Sequence, residues 1–287
     1  MRIIKRFVLT VALMLGCMAS FGLPSTQAQD VEISGPLAGA PAVMHLRVYR
    51  EGRFQVKPAV AMTLQDEFDR AILFGGELNY NIFDFLGVGV WGAYAGIHIT
   101  TGLTDEVEDK GLSNDRNILS LPDRRLFDDQ IGEIQWIAAP QAVFTPLRGK
   151  LGIFEELFVD TDFFVFAGVA IVGVEERADV NKIPTCDELT EVCRQSQRER
   201  TSRVAIAPTF GVGLSLYFAE FMAMTIEWRG LPFAWNTSGT DESGDPRGDF
   251  PDDQIDSDDH LFKFNHLVSL GFAFYLPLDA TISHTEN

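Results

Sequence analysis

The sequence has few cysteines, no excess of positive charge and no long hydrophobic segment beyond its first residues. Its 287 residues include three cysteines, and 41 Asp and Glu against 23 Lys and Arg give a formal net charge of −18. Nucleic-acid binding needs clustered Lys and Arg, so this charge argues against nucleic acid as a partner. No later apolar run has the ~20 residues of a spanning helix, so a chain in a membrane must cross it with strands.

The N-terminus has the three parts of a secretory signal. Positive charges within residues 2–6 precede an apolar core at 7–15, and residues 26–28, Thr-Gln-Ala, resemble a small-residue cleavage site. We therefore predict a signal peptide at 1–28 and an exported protein. The alternatives are an uncleaved signal anchor and lipidation at Cys17.

Two cysteines remain after the signal, Cys186 and Cys193, close together in a polar segment. In an oxidising compartment such a pair most simply forms a loop-closing disulfide. A metal or redox-active site is the alternative, but no histidines lie beside the pair at ligand spacing.

The clearest pattern is strict alternation within residues 52–82. One face of the first run carries Phe54, Val56, Pro58, Val60 and Met62, and the other carries Arg53, Gln55, Lys57, Ala59 and Thr63. The second run alternates Phe74, Leu78, Tyr80 and Ile82 with Glu77, Asn79 and Asn81. A period of two indicates strands with one apolar and one polar face.

The same pattern recurs along the chain, and helical periodicity is nowhere sustained. The predicted strands are residues 53–63, 72–82, 88–100, 132–145, 162–175, 203–217, 222–231 and 262–276. Their connections are tight after the second and sixth strands, intermediate after the fourth, with a short helical turn expected at 153–157, and long after the third, fifth and seventh. Short turns at one end and long loops at the other are typical of outer-membrane barrels.

The polar faces carry both signs of charge at Arg53, Lys57, Glu77, Glu227 and Arg229. These side chains can pair inside a narrow lumen, as a polar conduit or as a plug. We expect a plug, because eight strands leave an interior that side chains fill. The apolar faces end in aromatics that resemble an interfacial girdle: Tyr80, Phe83, Phe85, Tyr217, Phe218, Phe221, Phe272, Phe274 and Tyr275.

These observations predict an all-β fold, an eight-stranded antiparallel up-and-down transmembrane β-barrel with long external loops. The expected organisation is a periplasmic leader at 29–51, a barrel at 52–277 and a tail at 278–287. A soluble barrel alternates in the same way but places its apolar face inside.

Several motifs resemble the myxobacterial-type outer-membrane β-barrel family. They are YREGRF at 49–54, the run at 76–91 with NYN and FLGV, the segment at 146–150 with GK, and the closing segment at 265–277 with NHL and YLP. The resemblance implies a location in the outer membrane and an aromatic-ended last strand read by the barrel assembly machinery. It implies no reaction, because the motifs are structural.

Two groups of residues could carry chemistry. The loop before the last strand is rich in acidic residues, and it offers calcium candidates at Asp249, Asp252, Asp253, Asp256 and Asp258. No EF-hand spacing is present, so a solvated charge run is the alternative. His98 and His266 lie near strand ends; we interpret them as interfacial residues, since a catalytic His98 would need a nucleophile such as Ser113 or Ser120 beside it.

The sequence therefore favours a non-enzymatic outer-membrane protein with a structural, adhesive or binding role through its acidic loops and with slight ion conductance. Its partners would be outer-membrane lipid, the assembly machinery and an external ligand, and its only candidate cofactor is calcium. The alternatives are an outer-leaflet lipid-modifying hydrolase and a soluble periplasmic ligand-binding barrel.

Overall fold

The computed structural model describes residues 50–64, 66–111, 122, 127–153, 157–177, 200–219, 221–243 and 255–278, with side chains for all of these except 150–153 and 157–158. The predicted signal peptide, nearly all of the leader and the tail, and both Cys186 and Cys193 lie outside the described residues. Predictions that concern those segments stay predictions.

Eight strands in the described ranges form one closed antiparallel barrel in which each strand pairs with its neighbours in sequence and β8 pairs with β1. The strands are β1 (Phe54–Leu64), β2 (Asp69–Phe83), β3 (Leu86–Thr100), β4 (Glu133–Ile153), β5 (Leu157–Arg177), β6 (Arg200–Ala219), β7 (Met222–Trp235) and β8 (Leu261–Leu276). The predicted eight-stranded up-and-down barrel is confirmed.

One helix, α1 (Gly102–Lys110), follows β3, and a 3-10 turn at Ser257–Asp259 precedes β8. The sequence pattern did not predict α1, because nine residues are too few for a sustained period of 3.6. Within the described ranges, no helix is both long and apolar enough to span a membrane.

The connection between β4 and β5 differs from the expectation. The predicted helical turn at 153–157 is wrong, because β4 continues to Ile153, β5 begins at Leu157, and these two residues pair. A bulge between Phe144 and Leu147 accommodates Pro146, which lacks an amide hydrogen for the ladder. Tight connections therefore follow β2, β4 and β6 at one end of the barrel, here called the turn end, and the long ones lie at the loop end.

Alternation places the apolar faces outside. Phe54 is 58% exposed, whereas its neighbours Arg53 and Gln55 are buried in the interior. The exposed exterior residues include Val60, Phe74, Leu78, Val90, Tyr94, Ile97, Phe144, Leu147, Val169, Val204, Ile206, Phe210, Ile226, Leu270 and Phe272. An apolar exterior of this extent suits lipid rather than water, which argues against the soluble alternative.

The interior is not polar throughout. Its loop-end half holds an apolar cluster, here called the apolar plug: Ala61, Ala71, Leu73, Trp91, Ala95, Ile134, Ile137, Ala139, Ala170, Val172, Val174, Ala205, Ala207, Leu231, Phe233, Trp235 and Leu267. The plug explains why β5 is apolar on both faces in its loop-end half, since Ala170, Val172 and Val174 belong to the plug and the alternate residues face outward.

Nearer the turn end, two phenylalanines of β5 point inward at glycines of β6. Phe164 pairs with Gly213 and Phe166 pairs with Gly211. A Cβ atom at either glycine would overlap the facing ring. The absence of a side chain at these two positions lets both rings occupy the lumen.

Candidate functional site

A charged layer crosses the middle of the barrel. Lys57 lies between Glu77 and Glu227, its Nζ atom contacts a carboxylate oxygen of each, and all three side chains are 2% exposed. The three residues come from β1, β2 and β7, so the layer joins strands on both sides of the β1–β8 seam. Two carboxylates around one ammonium group satisfy the buried lysine electrostatically.

Arg229 extends this layer across the lumen. Its guanidinium lies between two aromatic rings, 4.3 Å from the centroid of Trp91 and 4.2 Å from that of Phe166. It donates to Thr209 Oγ1 at 3.0 Å and to Gln141 Oε1 at 2.9 Å. Gln141 Nε2 in turn donates to Glu77 Oε1 at 3.0 Å. We call Lys57, Glu77, Gln141, Glu227 and Arg229 the central charge layer.

Arg53, the fifth residue predicted for this network, lies elsewhere. Its guanidinium donates to the backbone carbonyls of Pro277, at 2.7 and 3.0 Å, and Leu278, at 3.0 Å. It therefore binds the chain after β8 at the turn end. The structure brings four of the five predicted residues together and assigns Arg53 to the turn end.

A second polar layer closes the turn end. The hydroxyl of Tyr217 donates to Asp162 Oδ2 at 2.8 Å and lies 3.0 Å from the hydroxyl of Tyr275. Arg50 Nη1 is 3.5 Å from the same Asp162 oxygen, and Arg148 Nε is 3.9 Å from the other. We call Arg50, Asp162, Tyr217 and Tyr275 the tyrosine layer.

The tyrosine layer corrects part of the predicted aromatic girdle. Tyr217 and Tyr275 are buried in the interior, because a buried carboxylate and guanidinium are available there to the phenol groups. The exposed members of the predicted girdle are Phe83, Phe85, Phe218, Phe221 and Phe272.

At the loop end, His98 lies between two carboxylates. Its Nδ1 atom is 2.6 Å from Asp69 Oδ2, and its Nε2 atom is 3.9 Å from Glu133 Oε2. Arg200 contacts the other oxygen of Glu133. We call Asp69, His98, Glu133 and Arg200 the rim cluster; the ligand atoms of its first three residues lie within 4.8 Å of one another.

A bulge in β3 orients His98 into this cluster. Ile72 pairs with Ile97 and Leu73 pairs with Ala95, which leaves Gly96 as an extra residue. One extra residue reverses the alternation that follows it, so His98 shares the inner face with Ala71, its partner on β2. The sequence indicated His98 as a strand-end residue but gave no sign of its contacts with Asp69 and Glu133.

His266, in contrast, packs on outer aromatic rings, with its ring centroid 4.7 Å from that of Phe264 and 5.7 Å from that of Trp228. This placement agrees with the interfacial role predicted for it. Ser113 and Ser120, the candidate nucleophiles near His98, lie outside the described residues.

The acidic connection before β8 is partly described. Asp259 is fully buried, and its carboxylate accepts amide hydrogens from Glu242, Ser243 and Asp256. Asp256 Oδ1 accepts from the amide of Asp258 at 2.8 Å. These carboxylates organise the two ends of the loop. The other calcium candidates, Asp249, Asp252 and Asp253, lie outside the described residues.

Asp66, in the connection between β1 and β2, should make the stability of the folded barrel depend on pH. Burial raises its pKa from 3.8 to about 6. The folded state therefore holds this proton more tightly than the unfolded chain, so Asp66 lowers stability progressively as the pH rises through this window. In urea titrations of the refolded barrel, Asp66→Asn should gain stability over wild type between pH 4 and pH 7. Parallel profiles for the two proteins would contradict this, and Asp105→Asn, an exposed carboxylate on α1, is the matched control.

The apolar plug, the central charge layer and the tyrosine layer occupy the described interior in series, and a small polar cavity lined by Arg50, Gln55, Lys57, Glu77 and Tyr275 lies between the last two. A closed barrel with a lipid-compatible exterior and a plugged interior defines a small transmembrane β-barrel of the outer-membrane class. The bacterial outer membrane is the location of this architecture.

The chain resembles solved barrels of this class. It is similar to the N-terminal β-barrel domain of Pseudomonas aeruginosa OprF, with 12% identity and a TM-score of 0.41, over 79% of this chain and 98% of that one. It also resembles the outer membrane protein OprG of the same organism, with 10% identity and a TM-score of 0.37 over 79% and 97% of the two chains. Neisserial surface protein A is similar as well, with 8% identity and a TM-score of 0.35, over 77% of this chain and 95% of that one. No family model and no curated protein sequence matches the chain.

Proposed function

We propose that this protein is a non-enzymatic outer-membrane barrel that presents acidic external loops for binding or adhesion and does not form an open pore. The observation that carries the proposal is the filled interior. The apolar plug, the central charge layer and the tyrosine layer lie in series along the barrel axis, so a solute entering at either end meets packed side chains.

The loop end supports a role in binding. The connection between β7 and β8 contains nine acidic residues and one arginine. Asp259 holds the two described ends of this connection together through three backbone amides. Such a loop suits a basic partner surface or calcium. Placing the tight turns in the periplasm puts this loop outside the cell.

The hydrolase alternative receives less support. His98 contacts Asp69 and Glu133, and both of these groups are carboxylates rather than nucleophilic hydroxyls. Among the described residues no hydroxyl bonds this imidazole, whereas an acyl-transfer site needs a nucleophile beside its base.

Lipid-bilayer recording tests the closed interior. The full chain, refolded in detergent and inserted into a planar bilayer, should give no discrete conductance steps, because the three layers leave no continuous aqueous path. An open porin, reconstituted in parallel, shows that insertion would have been detected. Stable porin-sized steps from the wild-type barrel would overturn the proposal.

The binding role has its own readout in the same preparation. Replacing residues 244–254 with a neutral Gly/Ser linker should abolish adhesion of protein-bearing vesicles to a polylysine-coated surface and leave the heat-modifiable band unchanged. Equal adhesion by both proteins would contradict a binding role for this loop.

Other expectations stand as proposals beside this one. The myxobacterial-type family, the signal peptide, the disulfide between Cys186 and Cys193, calcium binding and recognition by the barrel assembly machinery rest on the sequence alone. Comparison with related sequences tests the family. N-terminal sequencing tests the signal peptide, thiol titration the disulfide and calcium titration the calcium site. Depletion of the assembly machinery tests its recognition of the last strand.

A further inference from the structure

We propose that the rim cluster binds a divalent transition-metal ion, with zinc as the representative, between His98 Nε2 and the carboxylate of Glu133. Asp69 acts as a positioning residue for the imidazole. None of its residues belongs to the connection between β7 and β8 or to the three layers inside the barrel, so the site goes beyond the proposed function.

The site lies where the wall of the barrel opens at the loop end. The ladder between β3 and β4 ends at the pair Tyr94 and Trp136. Beyond it, β3 pairs only with β2, as far as Thr100, and β4 pairs only with β5, as far as Glu133. The two strands therefore separate, and His98 and Glu133 face each other across the gap rather than across a hydrogen-bonded ladder.

Asp69 prepares the imidazole for metal binding. Its side chain is 5% exposed, and its Oδ2 atom lies 2.6 Å from His98 Nδ1. A neutral histidine that donates Nδ1–H to this carboxylate carries its lone pair on Nε2, the atom directed at Glu133. Metal-bound histidines regularly donate their second ring nitrogen to a carboxylate in this way.

The distance between His98 and Glu133 fits two ligands of one ion better than a hydrogen bond. His98 Nε2 and Glu133 Oε2 are 3.9 Å apart, beyond hydrogen-bond range. Zinc bonds of roughly 2.0–2.2 Å in tetrahedral geometry place two ligand atoms about 3.4 Å apart. A movement of about half an ångström by one side chain would bring His98 Nε2 and Glu133 Oε2 to the separation of two ligands on one zinc ion.

The charge around the gap is negative. Glu133 pairs directly with Glu175 on β5, and like charges in this position repel. Gln135 Nε2 donates to both carboxylates, at 3.1 and 3.4 Å. With Asp69, the described contacts around His98 and Glu133 include three carboxylates and one guanidinium, that of Arg200. A divalent cation would neutralise the excess.

Arg200 holds Glu133 without occupying the proposed ligand atom. It contacts Glu133 Oε1, whereas Oε2 faces His98. Oε2 accepts one hydrogen bond, from Gln135, and retains a lone pair for an ion. Imidazole with carboxylate favours zinc and its neighbours over calcium or magnesium, which prefer oxygen ligands alone. Two protein ligands leave positions open to water or to an external donor.

Zinc titration of the full chain, refolded in detergent without a polyhistidine tag, tests the site. Calorimetry at neutral pH should show one saturable equivalent of Zn²⁺. His98→Gln and Glu133→Gln should each weaken binding at least tenfold, and Asp69→Asn should weaken it by roughly 10–100-fold, as loss of an orienting carboxylate does elsewhere. The matched control is His260→Gln. His260 contacts one carboxylate at this end, with Nε2 3.2 Å from Glu176 Oε1, and has no second carboxylate partner among its described contacts, so its loss should leave zinc binding unchanged.

Heat modifiability on gels identifies variants that have folded, so loss of binding is separable from loss of the barrel. If a variant does not fold, Co²⁺ absorption of the wild type provides the second measurement, with visible bands of a site containing nitrogen and oxygen ligands expected. The proposal is overturned if wild type shows no saturable zinc binding, if folded His98→Gln binds zinc as wild type does, or if millimolar Ca²⁺ displaces the zinc. None of these outcomes bears on conductance or on loop adhesion.

Discussion

Replacing Lys57 with methionine is expected to destabilise the barrel by about 3–5 kcal/mol, because it leaves two buried carboxylates without their shared cation. Glu77 and Glu227 both contact Lys57 Nζ, and both side chains are 2% exposed. Urea unfolding of the protein in lipid vesicles, followed by tryptophan fluorescence, measures the change.

Two variants separate lost charge compensation from lost packing. Lys263→Met removes the ammonium group that pairs with Glu67, a carboxylate whose side chain is 53% exposed. This change should lower the free energy of unfolding by about 1 kcal/mol or less. The double variant Lys57→Met and Glu227→Gln removes one charge of each sign, leaves Glu77 together with Arg229 in the layer, and should recover most of the loss, since neutral replacements of buried ions are often tolerated. A Lys57→Met protein with an unchanged urea midpoint would show that the charges are solvated or rearranged.

Replacing Asp162 with asparagine should cost about 3 kcal/mol, because it removes the charge beside a buried guanidinium and weakens a charge-assisted hydrogen bond. Arg50 is 5% exposed with its Nη1 atom 3.5 Å from Asp162, and Tyr217 donates to the same carboxylate at 2.8 Å. The measurement is the same urea titration.

Tyr217→Phe tests which of these contributions dominates. It removes the hydroxyl and keeps the ion pair, so a loss of about 1–2 kcal/mol is expected, clearly smaller than that of Asp162→Asn. Glu106→Gln, which breaks an exposed pair with Lys110 on α1, should change stability by less than about 0.5 kcal/mol. Equal effects of Asp162→Asn and Glu106→Gln would mean that the tyrosine layer is fully hydrated.

The strands and the central charge layer could be predicted because both depend on a local property, the period of two. Lys57 and Glu77 share a face by alternation, and their pairing follows from the short connection between β1 and β2. The same period could have placed Tyr217 inside, since it alternates in step with Gly213 and Ser215. Its aromatic character, typical of both interfaces and interiors, led to the girdle interpretation.

Other features depend on information that alternation does not contain. Arg53 shares the inner face with Lys57, but a long side chain near a strand end can extend toward the end of the barrel instead of across it, and Arg53 binds the carbonyls after β8. The orientation of His98 depends on the bulge at Gly96, which changes the phase of β3 without a distinctive sequence signal. The apolar plug was missed because alanine, glycine and tryptophan on β3 do not reveal which face is inside.

The rings of Phe164 and Phe166 opposite Gly213 and Gly211 have a consequence for how β5 acquires its orientation. Between Phe163 and Val174 both faces of β5 are apolar, so over this central stretch hydrophobicity alone does not distinguish the inner side from the outer one. A shift of one position would direct the rings into lipid and oppose Val165 to glycine, leaving unfilled volume within the wall. In the middle of β5, shape complementarity with β6 therefore fixes the inner side, whereas the buried carboxylates of Asp162 and Glu176 fix it at the two ends.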